Sequence, residues 1–335
     1  MAKIYYETDI DQDYLKTRQI AILGFGSQGH AHALNLRDSG YRVVIGLPEA
    51  SKSRRKALAH GFAVKTIAKA VRESGVVMVL IPDEYQREVF EKEIVDNLDE
   101  GDMLMFAHGF AVHFSQIQVP SKIDVGLIAP KSPGHIVRRE YEAGRGVPGL
   151  LAIHQDFSGN ALQVALSYGK GIGVARAGIF ETSFKEGTET DLFGEQAILC
   201  GGITALMKAG FEILVEAGYQ AEMAYFECIN EMKLIVDLIY EGGFAGMRDS
   251  VSNTAEYGDY ITQRKLASPE LKQAMHAILT DIQSGDFAKN WIAEKESGFP
   301  MMKQRRIESN AQPLEQVGRQ LRQMMAWNRP GPEGC

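Results

Sequence analysis

The stretch Arg18-Gln-Ile-Ala-Ile-Leu-Gly-Phe-Gly-Ser-Gln-Gly29 decides the fold of the first half of the chain. Its apolar run over residues 20–23 is typical of a buried strand, and the pattern Gly24-x-Gly26-x-x-Gly29 follows at once. A helix over residues 28–39 and a second strand over residues 41–47 are predicted to complete the unit. In that context the glycines allow a tight turn, and the helix N-terminus offers free N–H groups to a pyrophosphate. We therefore predict a dinucleotide-binding loop rather than a glycine turn without a ligand.

Strands and helices keep alternating to about residue 181, which predicts an α/β Rossmann domain with a doubly wound parallel sheet. In such sheets, ligands bind beyond the carboxyl ends of the strands. His108 and Lys131 each follow a predicted strand at that edge, so both are catalytic candidates. Residues 1–17 are predicted to form a short helix at the domain edge. Further strands are predicted at 75–81, 102–107, 122–129 and 173–177, and residues 144–154 are predicted to be a loop that leads into another strand.

The second half of the chain is predicted to be all-helical. We divide the sequence into an N-terminal nucleotide-binding domain at 1–182, a C-terminal helical domain at 183–327 for metal, substrate and dimerisation, and a flexible tail at 328–335. The helical domain is very apolar for its size, which predicts that it buries surface against a second copy of the chain. The pair Gly242-Gly243 predicts a kink or a close helix contact. Helices are predicted at about 191–208, 209–217, 221–241, 269–284 and 286–297.

Two pairs of carboxylates recur at a spacing of four residues on these apolar helices. Asp191 and Glu195 form the first pair, and Thr188, three residues before Asp191, fits a helix start. Glu227 and Glu231 form the second pair. Residues four apart share a helix face, and buried like charges repel unless a cation or a proton lies between them. The pairs favour an oxygen-lined site for hard ions such as Mg²⁺, with ordinary acids on solvated helix faces as the alternative.

Composition excludes several classes of protein. The chain has 335 residues and a net charge of −7, which argues against nucleic-acid partners and anionic membranes. Three cysteines do not make a disulfide framework, so we expect a reducing, cytoplasmic environment. No uncharged apolar run approaches the ~20 residues that a membrane-spanning helix needs, and we expect no signal peptide.

The segment after the second strand bears on the choice between NAD and NADP. An acid at this point binds the ribose hydroxyls of NAD, whereas basic residues bind the 2′-phosphate of NADP. Glu49 lies twenty residues past Gly29, which favours NAD. Ser51, Ser53 and the basic residues within 52–55 could hold a phosphate, which favours NADP. These residues alone leave both alternatives open.

A polar stretch, Met247-Arg-Asp-Ser-Val-Ser-Asn-Thr-Ala-Glu-Tyr-Gly258, is predicted to be a loop between two helices. Its hydroxyl groups suit the binding of a carboxylate. Helix capping would explain the same residues equally well.

Seven segments together resemble the ketol-acid reductoisomerases, in their short-chain class I. The resemblance covers residues 1 to about 327, and the paired-carboxylate segments are its most specific part. The segments are Gly24-Phe-Gly-Ser-Gln-Gly-His-Ala-His-Ala33, Pro82-Asp-Glu-Tyr-Gln86, Ala107-His-Gly-Phe110, Ala129-Pro-Lys-Ser-Pro-Gly-His135, Glu189-Thr-Asp-Leu-Phe-Gly-Glu-Gln196, Glu227-Cys-Ile-Asn-Glu-Met-Lys-Leu-Ile-Val-Asp237 and Ser252-Asn-Thr-Ala-Glu-Tyr-Gly258.

This resemblance implies an enzyme of valine, leucine and isoleucine biosynthesis. Its substrate would be 2-acetolactate, or the ethyl homologue 2-aceto-2-hydroxybutanoate. Alkyl migration that depends on two Mg²⁺ ions would be followed by NAD(P)H reduction to the 2,3-dihydroxy-3-methyl acid.

The resemblance also distributes metal and substrate roles over two subunits of a homodimer. Asp191 would bridge both Mg²⁺ ions, and Glu195 would hold one of them. The partner subunit would contribute Glu227 and Glu231 to the surroundings of the second ion, and Ser252 to the substrate carboxylate. Assembly beyond the dimer is left open.

On the nucleotide side, His108 matches the family's catalytic histidine, and Lys131 would lie close to the metal ions. Most members have an arginine where this chain has Pro48, and that arginine holds the 2′-phosphate. With Pro48 followed by Glu49, we predict a bispecific or NADH-preferring enzyme. The matching cofactor contacts are Phe25, Gly26, Ser27, Gln28, Pro48, Ser51, Ser53, Asp83, Glu84, Tyr85, Gln86 and Gly134.

Two rival interpretations come from other classes of protein. A β-hydroxyacid dehydrogenase also combines a Rossmann domain with a helical domain, and Lys208 or Lys233 would then be its catalytic lysine. A non-enzymatic redox sensor would use the Rossmann domain alone. Both leave the four paired carboxylates unexplained, and sensitivity of the activity to a chelator separates them from a metal-dependent enzyme.

Overall fold

The computed structural model describes residues 2–10 and 13–324, so the predicted tail at 328–335 lies outside the described residues. The chain divides into two compact units, Met1–Thr190 and Asp191–Cys335. Each unit has its own hydrophobic core.

A sheet of nine strands organises the described part of the N-terminal unit. The strands are β1 (Ile4–Tyr5), β2 (Gln19–Leu23), β3 (Arg42–Gly46), β4 (Ala63–Lys65), β5 (Val76–Val79), β6 (Met103–Phe106), β7 (Asp124–Pro130), β8 (Gly149–Gln155) and β9 (Ile179–Glu181). Their order in the sheet is β1-β9-β8-β7-β6-β5-β2-β3-β4. The six strands from β4 to β7 in this order pair in parallel, and all of them except β4 were predicted. Because β8 is antiparallel to β7 and β1 is antiparallel to β9, the sheet is mixed, and the prediction of a wholly parallel sheet was wrong at this edge.

Helices cover both faces of the sheet. Side chains alternate along each strand, so Ile20 and Ile22 of β2 enter one core while Ala21 and Leu23 enter the other. All four are fully buried, as expected for a central parallel strand. The helices of this unit are α1 (Asp13–Lys16), α2 (Ser27–Asp38), α3 (Ser53–Ala59), α4 (Ile67–Arg72), α5 (Asp83–Val89), α6 (Phe110–His113), α7 (Gly134–Glu142) and α8 (Ala161–Gly171).

Two predictions for the ends of this unit need correction. The strand predicted at 173–177 was wrong: Gly173 has a φ of 89° just after α8, and a 3₁₀ turn, Val174–Arg176, follows it. The strand is instead β9, a few residues later, between β1 and β8. Residues 1–17 contain the predicted short helix, α1, but they also supply β1, which pairs with β9.

Helices make up the C-terminal unit, as predicted. They are α9 (Phe184–Phe193), which begins in the N-terminal unit, α10 (Gly201–Glu216), α11 (Ala221–Tyr225), α12 (Met232–Ser250), α13 (Asn253–Leu266), α14 (Pro269–Ser284), α15 (Asp286–Glu296), α16 (Pro300–Ala311) and α17 (Pro313–Met324). The predicted kink at Gly242-Gly243 is confirmed, because Gly243 has a φ of 65° inside α12. The loop predicted at 247–258 was wrong, since α12 and α13 cover nearly all of it, and α16 and α17 were not predicted.

Two π-helical segments interrupt the helices that carry the paired carboxylates. Gly194–Leu199 separates α9 from α10, and Phe226–Asn230 separates α11 from α12. In each segment an N–H bonds to a carbonyl five residues back, from Cys200 to Glu195 at 2.9 Å and from Glu231 to Phe226 at 3.0 Å. Such π turns occur frequently at functional sites.

Apolar side chains are unusually exposed in the helical unit. Tyr240 is 88% exposed, Leu199 67% and Phe244 64%. The helical stretch Phe184–Glu216 is long and apolar enough to cross a membrane by length and composition alone, and only 6% of its most apolar window is buried. Exposed apolar side chains in such number are unusual for a monomeric soluble protein.

Candidate active site

The predicted glycine loop is a close-packed turn between β2 and α2. Gly24 has a φ of 106°, and a Cβ added there would lie 2.5 Å from the carbonyl oxygen of Leu80. A Cβ on Gly29 would collide with the carbonyl of Gly24. Helix α2 starts at Ser27, with Gly26 as its N-cap, so its first N–H groups have no partner within the helix and suit an anionic ligand. The loop therefore fits a pyrophosphate that approaches the backbone closely.

A cleft of about 520 Å³ lies beside this loop, at the carboxyl ends of β2, β3, β5 and β6. This is the edge of the sheet at which a ligand was expected. Of the residues named from the sequence, its wall contains Gly24, Phe25, Gly26, Ser27, Gln28, Pro48, Ser53, Asp83, Gln86 and His108. Sequence reasoning missed the apolar part of the wall, which includes Leu47, Ile67, Leu80, Ile81 and Val89. In the sequence, nothing marks these apolar residues as cleft residues except their position near the ends of strands.

Several predicted cofactor contacts lie outside the described lining of this cleft, namely Glu49, Ser51, Glu84, Tyr85 and Gly134. Gly134 nevertheless supports the loop. Its N–H donates to Ser27 Oγ at 3.1 Å, and a Cβ at this position would collide with the backbone of Ser27. Gln28 Nε2 donates to the carbonyl of Ser132 at 2.8 Å, which ties the same two segments together.

His108 is held by a carboxylate in the wall of the cleft. Nδ1 of His108 lies 2.6 Å from Oδ2 of Asp83, and the ring stacks on Phe110 at a centroid distance of 6.3 Å. Asp83 is itself fixed, because Oδ1 accepts from Gln86 Nε2 at 3.0 Å. A carboxylate on one ring nitrogen sets the tautomer and orientation of a histidine, and leaves the other nitrogen to exchange a proton with a ligand.

Lys131 lies at the end of β7, as predicted, and its side chain is exposed. Its backbone N–H donates to the carbonyl of Pro148 at 2.8 Å, which fixes where the side chain leaves the sheet. The structure thus places Lys131 at the same sheet edge as the glycine loop and His108.

Beyond the end of β3, the guanidinium of Arg54 binds backbone carbonyls. Its Nη1 donates to the carbonyl of Leu47 at 3.0 Å and to that of Lys65 at 3.3 Å, so the guanidinium closes the ends of β3 and β4. Ser51 Oγ accepts from the N–H of Ser53 at 3.3 Å. Pro48 and Glu49 are exposed beside the cleft. This arrangement weakens the case that the basic run forms a phosphate site.

The four predicted metal ligands are carboxylates. They lie in or next to the two π-helical segments. Asp191 lies in α9 and is half-buried, whereas Glu195, Glu227 and Glu231 are exposed. Among the described residues, no three His, Cys, Asp or Glu side chains come close enough to hold a metal ion. Carboxylate oxygens are the donors that Mg²⁺ prefers, so the residues fit this ion in kind, but one chain does not bring all four together.

The predicted helix start at Thr188 was wrong. Helix α9 begins at Phe184, and its first turn is capped by Ser183 Oγ, which accepts from the N–H of Glu186 at 3.0 Å. Thr188 is fully buried against Gly109, where a side chain would collide with its hydroxyl.

Ser252 is the N-cap of α13. Its Oγ accepts from the N–H of Ala255 at 3.2 Å, so the capping explanation for this polar stretch holds. The same position is exposed at the start of a 14-residue helix. Helix N-termini favour anions, so capping and carboxylate binding are compatible here.

Comparison with known proteins agrees with the geometry of both units. Residues 14–178 match the family model "Acetohydroxy acid isomeroreductase, NADPH-binding domain", and residues 184–327 match "Ketol-acid reductoisomerase, C-terminal domain". The structure is similar to that of an NADH-preferring ketol-acid reductoisomerase from an uncultured archean, with a TM-score of 0.94 and 44% identity over 97% of this chain and 99% of that one.

More distant structures share the fold alone. A semialdehyde dehydrogenase NAD-binding protein from Cupriavidus necator has a TM-score of 0.60 and 17% identity, covering 80% of this chain and 99% of that one. A pyrroline-5-carboxylate reductase from Coxiella burnetii has a TM-score of 0.56 and 15% identity, covering 80% and 98%.

Proposed function

We propose a mechanism from the premise that this chain belongs to the ketol-acid reductoisomerase family. It is an NAD(P)H-dependent oxidoreductase with ketol-acid reductoisomerase activity in branched-chain amino acid synthesis. The substrate that we propose is 2-acetolactate or its ethyl homologue, and the compartment is the cytoplasm. The observation that carries the mechanism is the His108–Asp83 pair in the wall of the glycine-loop cleft.

On the nucleotide side, the residues of the chain bind the cofactor and orient it. The glycine loop and the start of α2 hold the pyrophosphate, and Val79, Leu80 and Ile81 provide apolar contact that excludes water from the cleft. The bound nicotinamide supplies a hydride to the 2-keto group that alkyl migration creates. Since Asp83 occupies Nδ1 of His108, the ring exchanges its proton with the substrate at Nε2.

On the metal side, Asp191, Glu195, Glu227 and Glu231 would hold two Mg²⁺ ions. The ions would supply Lewis-acid polarisation of the hydroxyl and the ketone on one substrate, which a simple ketone reduction does not require. Lys131 would add a positive charge near the reacting oxygens, and Ser252 at the start of α13 would orient the substrate carboxylate.

A homodimer would bring these carboxylates together. Its support is that one chain lacks a group of three metal-binding side chains among its described residues, and that its helical unit exposes a large apolar surface. Glu227, Glu231 and Ser252 would then enter the site of the partner. In a symmetric dimer this exchange happens twice, so each dimer has two sites.

Subunit complementation tests this arrangement. Asp191→Asn and Glu231→Gln chains are each expected to be inactive as homodimers. If the carboxylates come from different chains, unfolding and refolding an equal mixture should restore about a quarter of wild-type activity, because half of the dimers are mixed and one of their two sites is intact. No recovery, with mixed dimers verified by mass spectrometry, would mean that each site takes Asp191 and Glu231 from the same chain.

We also propose that the enzyme is bispecific or prefers NADH. Its support is the exposed Pro48-Glu49 pair, where a carboxylate repels a phosphate and accepts ribose hydroxyls, and the engagement of Arg54 by backbone carbonyls. A ratio of kcat/KM that favours NADPH by ~100-fold, equivalent to about 2.7 kcal/mol, would overturn this proposal.

The activity itself is tested by oxidation of NADH and NADPH with 2-acetolactate, first with Mg²⁺ and then with EDTA. Glu231→Gln should abolish alkyl migration while the dissociation constant of the nucleotide stays near that of the wild type. Turnover that persists in EDTA, or loss of nucleotide binding in this variant, would count against the assignment of the metal ligands.

A further inference from the structure

Two histidine rings meet beside the glycine loop, outside the cleft lining described above. His30 lies in the first turn of α2, directly after Gly29, and His60 caps the end of α3. Their Nε2 atoms are 3.3 Å apart, the ring centroids are 4.9 Å apart, and the ring planes cross at 67°. Nothing in the proposed mechanism uses these two nitrogens.

Contacts from the rest of the unit hold both rings in place. The backbone N–H of His30 donates to the carbonyl of Gly26 at 2.9 Å, and the carbonyl of His60 accepts from Arg37 Nη1 at 2.7 Å. The ring of Phe25 packs edge-on against His30 at 5.4 Å and lies 6.3 Å from His60. The two imidazoles are therefore positioned before any ligand arrives.

The separation of the two nitrogens suits two kinds of interaction. An N–H···N hydrogen bond is the first, with one ring as donor and the other as acceptor. A shared metal ion is the second, since two nitrogens bound at 2.0–2.1 Å to a tetrahedral zinc lie roughly 3.3 Å apart. Imidazole nitrogen is also the donor that zinc, copper and nickel prefer, whereas Mg²⁺ prefers oxygen.

We propose that His30 and His60 form a binding site for a divalent transition-metal ion such as Zn²⁺, with water completing the coordination. The ion would join the first turn of α2 to the end of α3, the two helices that follow the first two strands of the sheet. With two protein ligands the site would bind more weakly than the three- and four-ligand sites of zinc enzymes and zinc fingers.

The charge state of His30 supports this site. Burial lowers the pKa of His30 to about 4, so this ring is neutral at physiological pH, and neutral imidazole is the form that binds metals. Lys56 and Arg138 also disfavour positive charge on His30, whereas Glu142 favours it. A metal ion bound by the two histidines would thus have both positive and negative side chains nearby, which again indicates a moderate affinity for the ion.

Zn²⁺ titration of the full-length protein without an affinity tag tests the proposal. The protein is stripped with EDTA, dialysed and supplied with excess Mg²⁺, so that the carboxylate sites are filled before calorimetry with Zn²⁺. We expect one binding event that His60→Gln weakens by roughly tenfold or more, because half of the protein ligands are lost. His276→Gln removes an exposed histidine from α14 and should leave this event unchanged.

Cobalt spectroscopy gives a second measurement. Co²⁺ added under the same conditions should produce visible d–d bands of nitrogen coordination in the wild type, and His30→Gln should abolish them. The far-UV circular dichroism spectrum and the thermal unfolding midpoint of each variant verify that the protein remains folded. Zinc affinity that is unchanged in both His30→Gln and His60→Gln, or the absence of nitrogen-coordinated cobalt, would overturn the proposal and leave a hydrogen-bonded histidine pair only.

Discussion

Replacing Asp83 with asparagine tests whether this carboxylate orients the catalytic histidine. Oδ2 of Asp83 lies 2.6 Å from Nδ1 of His108, and asparagine keeps the shape of the side chain while removing its charge. A hydrogen bond to a charged group contributes ~1.5–3 kcal/mol. Loss of about 2 kcal/mol from the transition state corresponds to a roughly 30-fold lower kcat. We expect most of this loss in kcat and only a small loss of NADH affinity, because Asp83 lines the cleft but the glycine loop that holds the pyrophosphate is untouched.

The assay is initial-rate oxidation of NADH with saturating 2-acetolactate and Mg²⁺, together with fluorescence titration of NADH binding. Glu88→Gln is the matched control, since it removes a negative charge from the same helix at an exposed position that pairs with Lys92. This control should keep wild-type kcat. An Asp83→Asn enzyme with kcat within about twofold of the wild type would refute the role of the carboxylate in orienting His108, and so would a loss explained wholly by weaker NADH binding.

Three further predictions follow from single positions. Gly24→Ala should nearly abolish NADH binding in calorimetry and lower the unfolding midpoint, because a φ of 106° and a Cβ 2.5 Å from the Leu80 carbonyl add strain of ~1–3 kcal/mol; unchanged affinity would contradict the close approach. Pro48→Arg should move the kcat/KM ratio toward NADPH by roughly tenfold, since a guanidinium pairs well with a phosphate; an unaltered ratio would refute the prediction. Burial lowers the pKa of His32 to about 3, so the unfolded chain takes up a proton first as the pH falls. Stability should therefore decline from about pH 6.5 down to about pH 3, by at most ~1.4 kcal/mol per pH unit from this group. Urea unfolding of the wild type and of His32→Gln across that pH range measures this decline. Equal slopes of the unfolding free energy against pH in the two proteins would remove His32 as the cause.

The parallel half of the sheet could be predicted because its units carry two independent signals. Apolar runs mark the strands, and the glycine pattern after β2 fixes which turn binds a ligand. The direction of β8 could not be predicted, since a buried strand reads as the same apolar run in either direction. Strand β9 has only three residues, too few for a periodic pattern, and the apolar segment before it is a turn that starts at Gly173.

The sequence offered candidate residues for the site more readily than their geometry. Placing His108 at a strand end required only the sequence, but its contact with Asp83 depends on β5 and β6 being neighbours, which no local pattern reveals. The four-residue spacing of the carboxylates was visible, whereas the π turns were not, because both helix types have similar side-chain patterns over so short a stretch. Ser252 looked like part of a loop because capping residues and loop residues are the same types.

The pairing of β1 with β9 bears on how the chain folds as it leaves the ribosome. Ile4 and Tyr5 lie beside Phe180 and Ile179, and Tyr5 donates a hydrogen bond to Glu181 at 2.7 Å. Strands β2 to β7 can pair as they are synthesised, but β1 cannot pair until β9 has been made. The residues of β1, made before the rest of the sheet, are thus among the last to be fixed, and until they pair, the edge of β9 is open to strands of other nascent chains.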